Sequence, residues 1–468
     1  MKAIFFKYLL VLTFVQLIVS CASYHDLSID YQEQIQQENY ESAYKKIEKS
    51  KFLNKKRNKL LNYLEKGKIA HLQNDYKLSN ELFNEADILI EDHKNNFGNQ
   101  VLGVLTNPEK ETYRSEDFEK VAIHYYKALN YIFLNQYDDA LVEAKRINLQ
   151  LQKINDKYPE GKKNRYISDA FSLNLQGLLY EVTGNLNDAF ISYRNAVELY
   201  LENEGSYFGV SIPTQLKQDL INTAHYLGFT NDELKYSEFF KLKYIPKTTE
   251  KSLIVFWENG MVPYKSQTYF TFTQLPGRYN NGFVTITNEE LGMNIPVPVN
   301  TVSSSQNSRF SDLSVINVSF PKYEDRTSYF SNAKVIVDQK KYPLELVQDY
   351  SVIAKETLKD RTLREIGKVV LRLAAKKMSE KIIKDQNANL GALVGLFNAI
   401  TEKSDTRNWQ TLPNKIYYTR IPLEDQNTQV KIEATGFNGN KVHKEFEIDP
   451  NQKITFINYN TPQINKAN

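Results

Sequence analysis

The chain has 468 residues, 41% hydrophobic, 25% charged and 12% aromatic, the aromatic share coming largely from 31 Tyr and 25 Phe. That excludes disorder and collagen, and at roughly 100 to 200 residues per domain it leaves room for two to four domains. Fifty-nine basic against 56 acidic residues leave a net charge of +3, too little for a protein built around nucleic-acid phosphates or a strongly charged substrate.

Residues 1–20 read as a signal peptide. Lys2 and Lys7 make a short basic region, Tyr8 to Val19 an apolar run, and Ser20 a small residue ahead of Cys21. The run is shorter than the roughly 18 to 20 residues that cross a bilayer as a helix, which argues against a permanent span. Cys21 is the single cysteine, so neither a disulfide nor a multi-thiolate metal site forms within one chain. Ile18-Val19-Ser20-Cys21 resembles the bacterial lipobox, in which an aliphatic residue and a small residue precede a cysteine lipidated on sulfur. The resemblance implies a mature protein beginning at an acylated, palmitate-bearing Cys21. With Ala22 rather than Asp after it, it implies sorting to the outer membrane, on the periplasmic face. At about 0.8 kcal/mol per buried methylene such an anchor is effectively permanent. Losing Lys2 and Lys7 lowers the charge from +3 to +1, so net charge does not hold the body on a membrane.

From Leu27 to Tyr244 apolar residues recur at three and four, the helical period, with few prolines. Leu173 to Tyr200 carries Gly177, Tyr180, Gly184, Ala189, Tyr193 and Ala196. These offsets resemble tetratricopeptide repeats, where small residues allow close helix contact and aromatics fill the gap between helices. A second copy has Tyr63, Gly67, Ala70, Tyr76, Ser79, Phe83 and Ala86. A looser third has Tyr131, Tyr137, Ala140, Ala144 and Ile147, and the weakest has Tyr40, Ala43 and Ile47. The equivalent small residues Ala43, Ser79, Ala140 and Ala189 are 36, 61 and 49 residues apart, against a unit of about 34. Insertions therefore separate the later units, near Asn95 to Phe118 and Lys153 to Ile167. The first, with Gly98, Gly103, Pro108, Tyr113 and Arg114, reads equally as a binding element and as a surface loop. Leu216 to Gly228 is the amphipathic cap of an array whose groove is expected to hold a segment of a partner.

After Lys247 short β-branched and aromatic runs replace the helical period: Leu253 to Trp257, Thr268 to Thr273, Phe283 to Ile286, Leu313 to Phe320 and Lys334 to Val337. A helical pattern returns over about 344–402. It carries Lys359, Arg361, Arg364, Lys368, Arg372, Lys376, Lys377 and Lys381, which read as a solvated face or as a contact for anionic headgroups. Within it, Asn389 to Ile400 is apolar but too short to span. Strands resume at Ile416 to Arg420, Gln429 to Ala434, Val442 to Ile448 and Ile454 to Tyr459, with Asn438-Gly439 as a hairpin signal. The expected fold is thus multidomain. An all-α repeat array over 21–245 precedes an α+β unit over 250–468, with a small antiparallel sheet or sandwich.

Signals for chemistry are sparse. The six histidines at 25, 71, 93, 124, 225 and 443 show no zinc-ligand spacing, and no HExxH, phosphate loop or dinucleotide fingerprint occurs. No cofactor or metal is expected, and no enzyme activity. Two segments are more specified than their surroundings. Glu258 to Lys265 combines Gly260 with Pro263 after a strand, and Asp405 to Pro413 puts Trp409, one of two tryptophans, near Arg407. Tyr113, Arg114, His124, Tyr131, Tyr180 and Trp409 are the candidate partner contacts.

The lipobox, Tyr113-Arg114, His124-Tyr125, Ala128 to Tyr131, Glu258 with Gly260 and Pro263, and Asp405 to Pro413 with Arg420 together resemble uncharacterised tetratricopeptide-type lipoproteins of Gram-negative bacteria. The resemblance implies a lipid-anchored envelope protein with an N-terminal repeat array and supplies no catalytic residue. The expected function is an adaptor for envelope proteins that binds no nucleic acid. The alternatives are a cell-wall or surface-polymer enzyme, or its activator, and a structural spacer.

Overall fold

The computed structural model describes residues 23–95, 111–156, 165–247, 249–280, 283–298, 315–386, 404–424, 429–449 and 452–465. The signal peptide, Cys21, the central parts of both insertions and the Asn389 to Ile400 segment lie outside these residues, as do the side chains of Arg364, Arg372, Lys376, Lys377 and Lys381.

Among the described residues five helical hairpins follow one another: α1 Tyr24–Gln36 with α2 Tyr40–Lys49, α3 Lys59–Leu72 with α4 Tyr76–Asn95, α5 Asp117–Phe133 with α6 Tyr137–Asn155, α7 Ala170–Val182 with α8 Leu186–Glu202, and α9 Thr214–Tyr226 with α10 Thr230–Phe240. Ser23 starts the first through a capping box with Asp26. Each hairpin turns through one residue of positive φ, at Glu38, Asn74, Asn135, Gly184 and Gly228. The small residues expected five positions later, Ala43, Ser79, Ala140 and Ala189, are all fully buried. Two glycines explain the close helix contacts. A Cβ on Gly67 would sit 2.7 Å from the Phe83 ring, and one on Gly177 only 2.2 Å from Tyr193. The region expected to be a single capping helix is a complete hairpin, because α10 buries Tyr236 against the array.

A two-strand ribbon, β1 Ser206–Tyr207 and β2 Val210–Ser211, joins α8 to α9. Among the described residues, the second half holds three four-stranded sheets. The first runs β10-β11-β3-β14, from Glu345–Asp349, Lys415–Leu423, Lys251–Asn259 and Ile454–Thr461; β14 runs parallel to β3 and the other pairs are antiparallel. The second runs β13-β12-β8-β9, from Lys441–Glu447, Gln429–Gly436, Phe330–Val337 and Lys340–Pro343. These two share a core containing Leu253, Val255, Trp257, Val335, Val430, Ile432 and Ile457, and so form a sandwich. The third runs β6-β5-β4-β7, from Met293–Pro298, Phe283–Asn288, Tyr264–Asn280 and Val315–Glu324. It is covered by α11, Tyr350–Gln386, through Ile366, Val370 and Leu373.

Alternation decides where the first sheet goes. Leu253, Val255 and Trp257 of β3 point into the sandwich, while Ile254 and Phe256 belong to the same core cluster as the helices. That cluster runs from Tyr24 through every hairpin to Phe456, so the array and the sheet are packed around shared apolar surface.

Candidate functional site: the groove of the array

The first helices of the hairpins line one face of the array, the face expected to hold a partner. The chain's own first sheet sits against it. Glu258 at the end of β3 is the centre of that contact. Its Oε2 accepts from Lys68 Nζ of α3 at 2.6 Å and from the Tyr126 hydroxyl of α5 at 2.8 Å; its Oε1 accepts from the Tyr125 hydroxyl and from Asn458 Nδ2 of β14, both at 3.0 Å. The Lys68 and Glu258 side chains are 3% and 1% exposed. Burial alone would raise the Glu258 carboxyl, but Lys68 and the surrounding donors hold it below the usual carboxylate range. His71, one turn after Lys68, lies between Asn130 Oδ1 at 2.6 Å and Asn458 Oδ1 at 3.2 Å, and so joins α3, α5 and β14.

The segment 404–413 fills the neighbouring part of the groove. The Trp409 backbone N–H donates to Glu119 Oε1 at 2.7 Å, and the Gln410 N–H to Glu65 Oε1 at 3.0 Å. The Thr411 hydroxyl donates to Glu65 Oε2 at 2.6 Å, and the Tyr24 hydroxyl to Glu65 Oε1 at 2.9 Å. Carboxylates of α3 and α5 thus receive the backbone of a loop that has no strand to pair with, as buried N–H groups require. Burial, reinforced by the nearby Glu116 charge, pushes the Glu119 carboxyl up to about 7. Glu116 sits beside Arg361 and Lys265, which overcome its burial and hold it down at about 2.

At the far end Arg420 of β11 forks onto Glu181 of α7 at 2.8 and 2.9 Å and reaches Asp219 of α9 at 3.1 Å. Burial pushes the Asp219 carboxyl up to about 6, against Arg420 and with the help of Glu181. Every hairpin from the second to the fifth therefore gives a charged or polar side chain from its first helix to the sheet or to its preceding loop.

The candidate contacts divide accordingly. Tyr113, His124 and Trp409 are buried, at 0%, 1% and 0% exposed, so as partner contacts they are corrected: their surfaces are spent inside the protein. Tyr113 donates its hydroxyl to Glu119 at 2.5 Å, under the Arg407 guanidinium. His124 bonds Glu143 at 2.7 Å, between α5 and α6. Tyr131 and Tyr180 are half-buried, the latter beneath the Lys145 ammonium, and Arg114 is exposed. Of the basic residues expected on one helix face, Arg361 pairs with Glu116 at 2.8 Å.

The residues missed from the sequence are Glu65, Lys68, Glu119 and Asp219. Their signal was available: Glu65 and Lys68 stand three apart inside a helix that otherwise reads as core, as Glu119 does in α5. Charged residues on a face meant to be apolar point to a charged neighbour. Among the described residues no group of three or more His, Cys, Asp or Glu is placed to hold a metal, and no helix is long and apolar enough to cross a membrane.

No protein-family model matches the chain, and no curated protein matches it. Solved structures match less than half of it. The apo form of RapI has 14% identity over 46% of this chain and 68% of its own, with a TM-score of 0.32. MamA has 13% identity over 44% of this chain and 89% of its own, with a TM-score of 0.27. Aspartyl phosphate phosphatase F from Bacillus subtilis has 15% identity over 46% of this chain and 49% of its own, with a TM-score of 0.32. Likeness at this level carries no weight. The helical-repeat assignment rests on the five hairpins, their turns and the Gly67–Phe83 and Gly177–Tyr193 contacts.

Proposed function

We propose that the mature chain is an outer-membrane lipoprotein, acylated at Cys21, that serves as a non-catalytic docking platform for envelope proteins. Only Ala22 separates Cys21 from Ser23, whose capping box starts α1. α1 is in turn tied to the 404–413 segment, since Gln32 Nε2 donates to Gln410 Oε1 at 3.0 Å and Arg326 Nη1 of the β7–β8 connection donates to Gln32 Oε1 at 2.7 Å. An acyl anchor there would stand two residues before the capping residue of a helix tied into the body. This placement is the observation that carries the reading.

Because the first-helix face is occupied by the chain itself, a partner is expected on other surfaces, including the exposed side of the second helices. The test begins with the anchor. Cells fed an alkyne palmitate analogue should label the wild-type chain and retain it in the outer-membrane fraction, whereas Cys21→Ser should be unlabelled and released. Unmodified thiol in the wild-type protein from its native cell sinks the anchor. For the docking role, photo-crosslinkers at exposed Val142 and Leu234 should give discrete protein adducts, and one at buried Tyr193 should give none. Absence of adducts at every exposed position removes the platform.

A further inference from the structure

A cavity of about 380 Å³ opens at the end of the array where α9, residues 245–247 and 249–250, and the ends of β3 and β11 meet. That volume lies within the range of small-molecule sites, roughly 300 to 1,000 Å³. Its floor is the Arg420 fork on Glu181 and Asp219, and those charges are already matched within the protein. Glu181 also accepts from the Tyr193 hydroxyl at 2.7 Å, and Asp219 from Gln215 Nε2 at 3.0 Å. One wall carries the amides of Gln218 and Asn222, linked at 2.8 Å. The other carries Ser252, the first array-facing residue of β3. It is only 9% exposed, and its hydroxyl has no hydrogen-bond partner among the described residues. The Tyr226 ring stands at the rim, 37% exposed, with its hydroxyl accepting from the Lys247 backbone N–H at 3.3 Å.

This lining selects by elimination. Arg420, Lys247 and Lys251 balance Glu181, Asp219 and Glu250, so an anion meets three carboxylates and a cation meets three basic groups. An apolar ligand leaves the buried Ser252 hydroxyl without a partner, at a cost that burial makes large. A neutral ligand whose every edge both donates and accepts satisfies the wall and leaves the ion pairs intact, and its C–H face suits an aromatic rim. We propose that this cavity binds a neutral saccharide of one or two rings. Ser252, Gln218 Oε1 and Asn222 Nδ2 bond its hydroxyls, and Tyr226, whose ring also has the Lys247 ammonium 5.1 Å from its centroid, borders one face. The site stands independently of the anchor at Cys21, so either reading survives the failure of the other.

The test is calorimetric titration of the purified full chain with chitobiose, cellobiose and maltose, alongside inorganic phosphate and putrescine. At least one disaccharide should bind saturably, more tightly than phosphate or putrescine. Tyr226→Ala and Ser252→Ala should each weaken it by about tenfold or more. Leu234→Ala, on exposed α10 away from the cavity, should bind as the wild type does. Should Ser252→Ala disturb folding, the rim variant Tyr226→Ala decides alone. Three results overturn the proposal: no saturation by any disaccharide up to roughly 10 mM, tighter binding of phosphate or putrescine, or undiminished binding by Tyr226→Ala.

Discussion

The two faces of β3 bury their side chains equally and by opposite means. Toward the sandwich, Leu253, Val255 and Trp257 meet aliphatic and aromatic neighbours, and the one polar atom, Trp257 Nε1, donates to Thr461 Oγ1 at 2.8 Å. Toward the array, Ile254 and Phe256 are flanked by Glu258 and, across the strand pair, by Arg420, both engaged with helix residues. Apolar packing supplies magnitude but tolerates sliding, since one aliphatic contact resembles the next. Buried ion pairs add little net stability, because desolvation consumes most of the Coulomb gain, yet they make every misplaced seating expensive. The sandwich face thus holds the sheet together, and the array face determines where the helices sit on it.

The largest effect should come from breaking that contrast at its centre. Glu258→Leu strands the Lys68 ammonium in a dry interface and should cost about 3 to 5 kcal/mol in chemical denaturation, whereas the double variant Glu258→Leu with Lys68→Met should recover the part due to the stranded charge, but not the part due to the Tyr125 and Tyr126 hydroxyls and Asn458 Nδ2, which still lack their acceptor. Trp257→Ala, on the opposite face, should cost a similar amount, about 3 to 5 kcal/mol, with no second-site rescue because a cavity has no charge to neutralise. Recovery in neither case, or in both, would mean that the two faces work alike.

The contrast sharpens with pH. Glu119 moves from an ordinary 4.5 to about 7 on folding, so the folded state holds a proton that the unfolded chain releases. Stability should fall as pH rises from 4.5 through 7, by on the order of 3 kcal/mol for this group alone. Glu119→Gln should flatten that decline. Glu116, three residues earlier and held at about 2, acts in the opposite sense: its contribution is present above 4.5 and lost as pH falls toward 2. A denaturation-midpoint profile between pH 4 and 8 that is identical in wild type and Glu119→Gln would remove Glu119 from this role.

Local signals made the helical half readable. The glycine and aromatic offsets at Gly67 with Phe83 and Gly177 with Tyr193 are contacts between neighbours in sequence, and the hairpin period carries them. Most strands were legible for the same reason, through alternation over a few residues. The strand β6 escaped notice because Pro296 and Pro298 argue against a strand; it survives as the edge of its sheet, where a missing N–H is tolerated. The occupied groove was not legible. It depends on Lys68 meeting Glu258, and on β14 pairing in parallel with β3 about two hundred residues away, and no local pattern encodes a meeting at that distance. Arg420 stood out only as part of a resemblance, and Glu258 as the start of a specified segment, both without their partners.

Two glycines complete the comparison at smaller scale. Gly177 sits in a helix and is needed for space: Gly177→Ala drives a methyl into the Tyr193 ring and should cost about 1 to 3 kcal/mol by overpacking. Gly439 turns β12 into β13 on the outer side of the sandwich, with φ of +81° and nothing within 4 Å of where a Cβ would stand. Its requirement is conformational alone, so Gly439→Ala should cost about 1 kcal/mol. Gly439→Asn should cost less, because Asn tolerates the left-handed region and no neighbour objects to its size. At Gly177 the order reverses, Asn being worse than Ala. Thermal midpoints of the four variants separate the two causes: the same ranking of Ala and Asn at both positions would show that one of these glycines has been assigned the wrong reason.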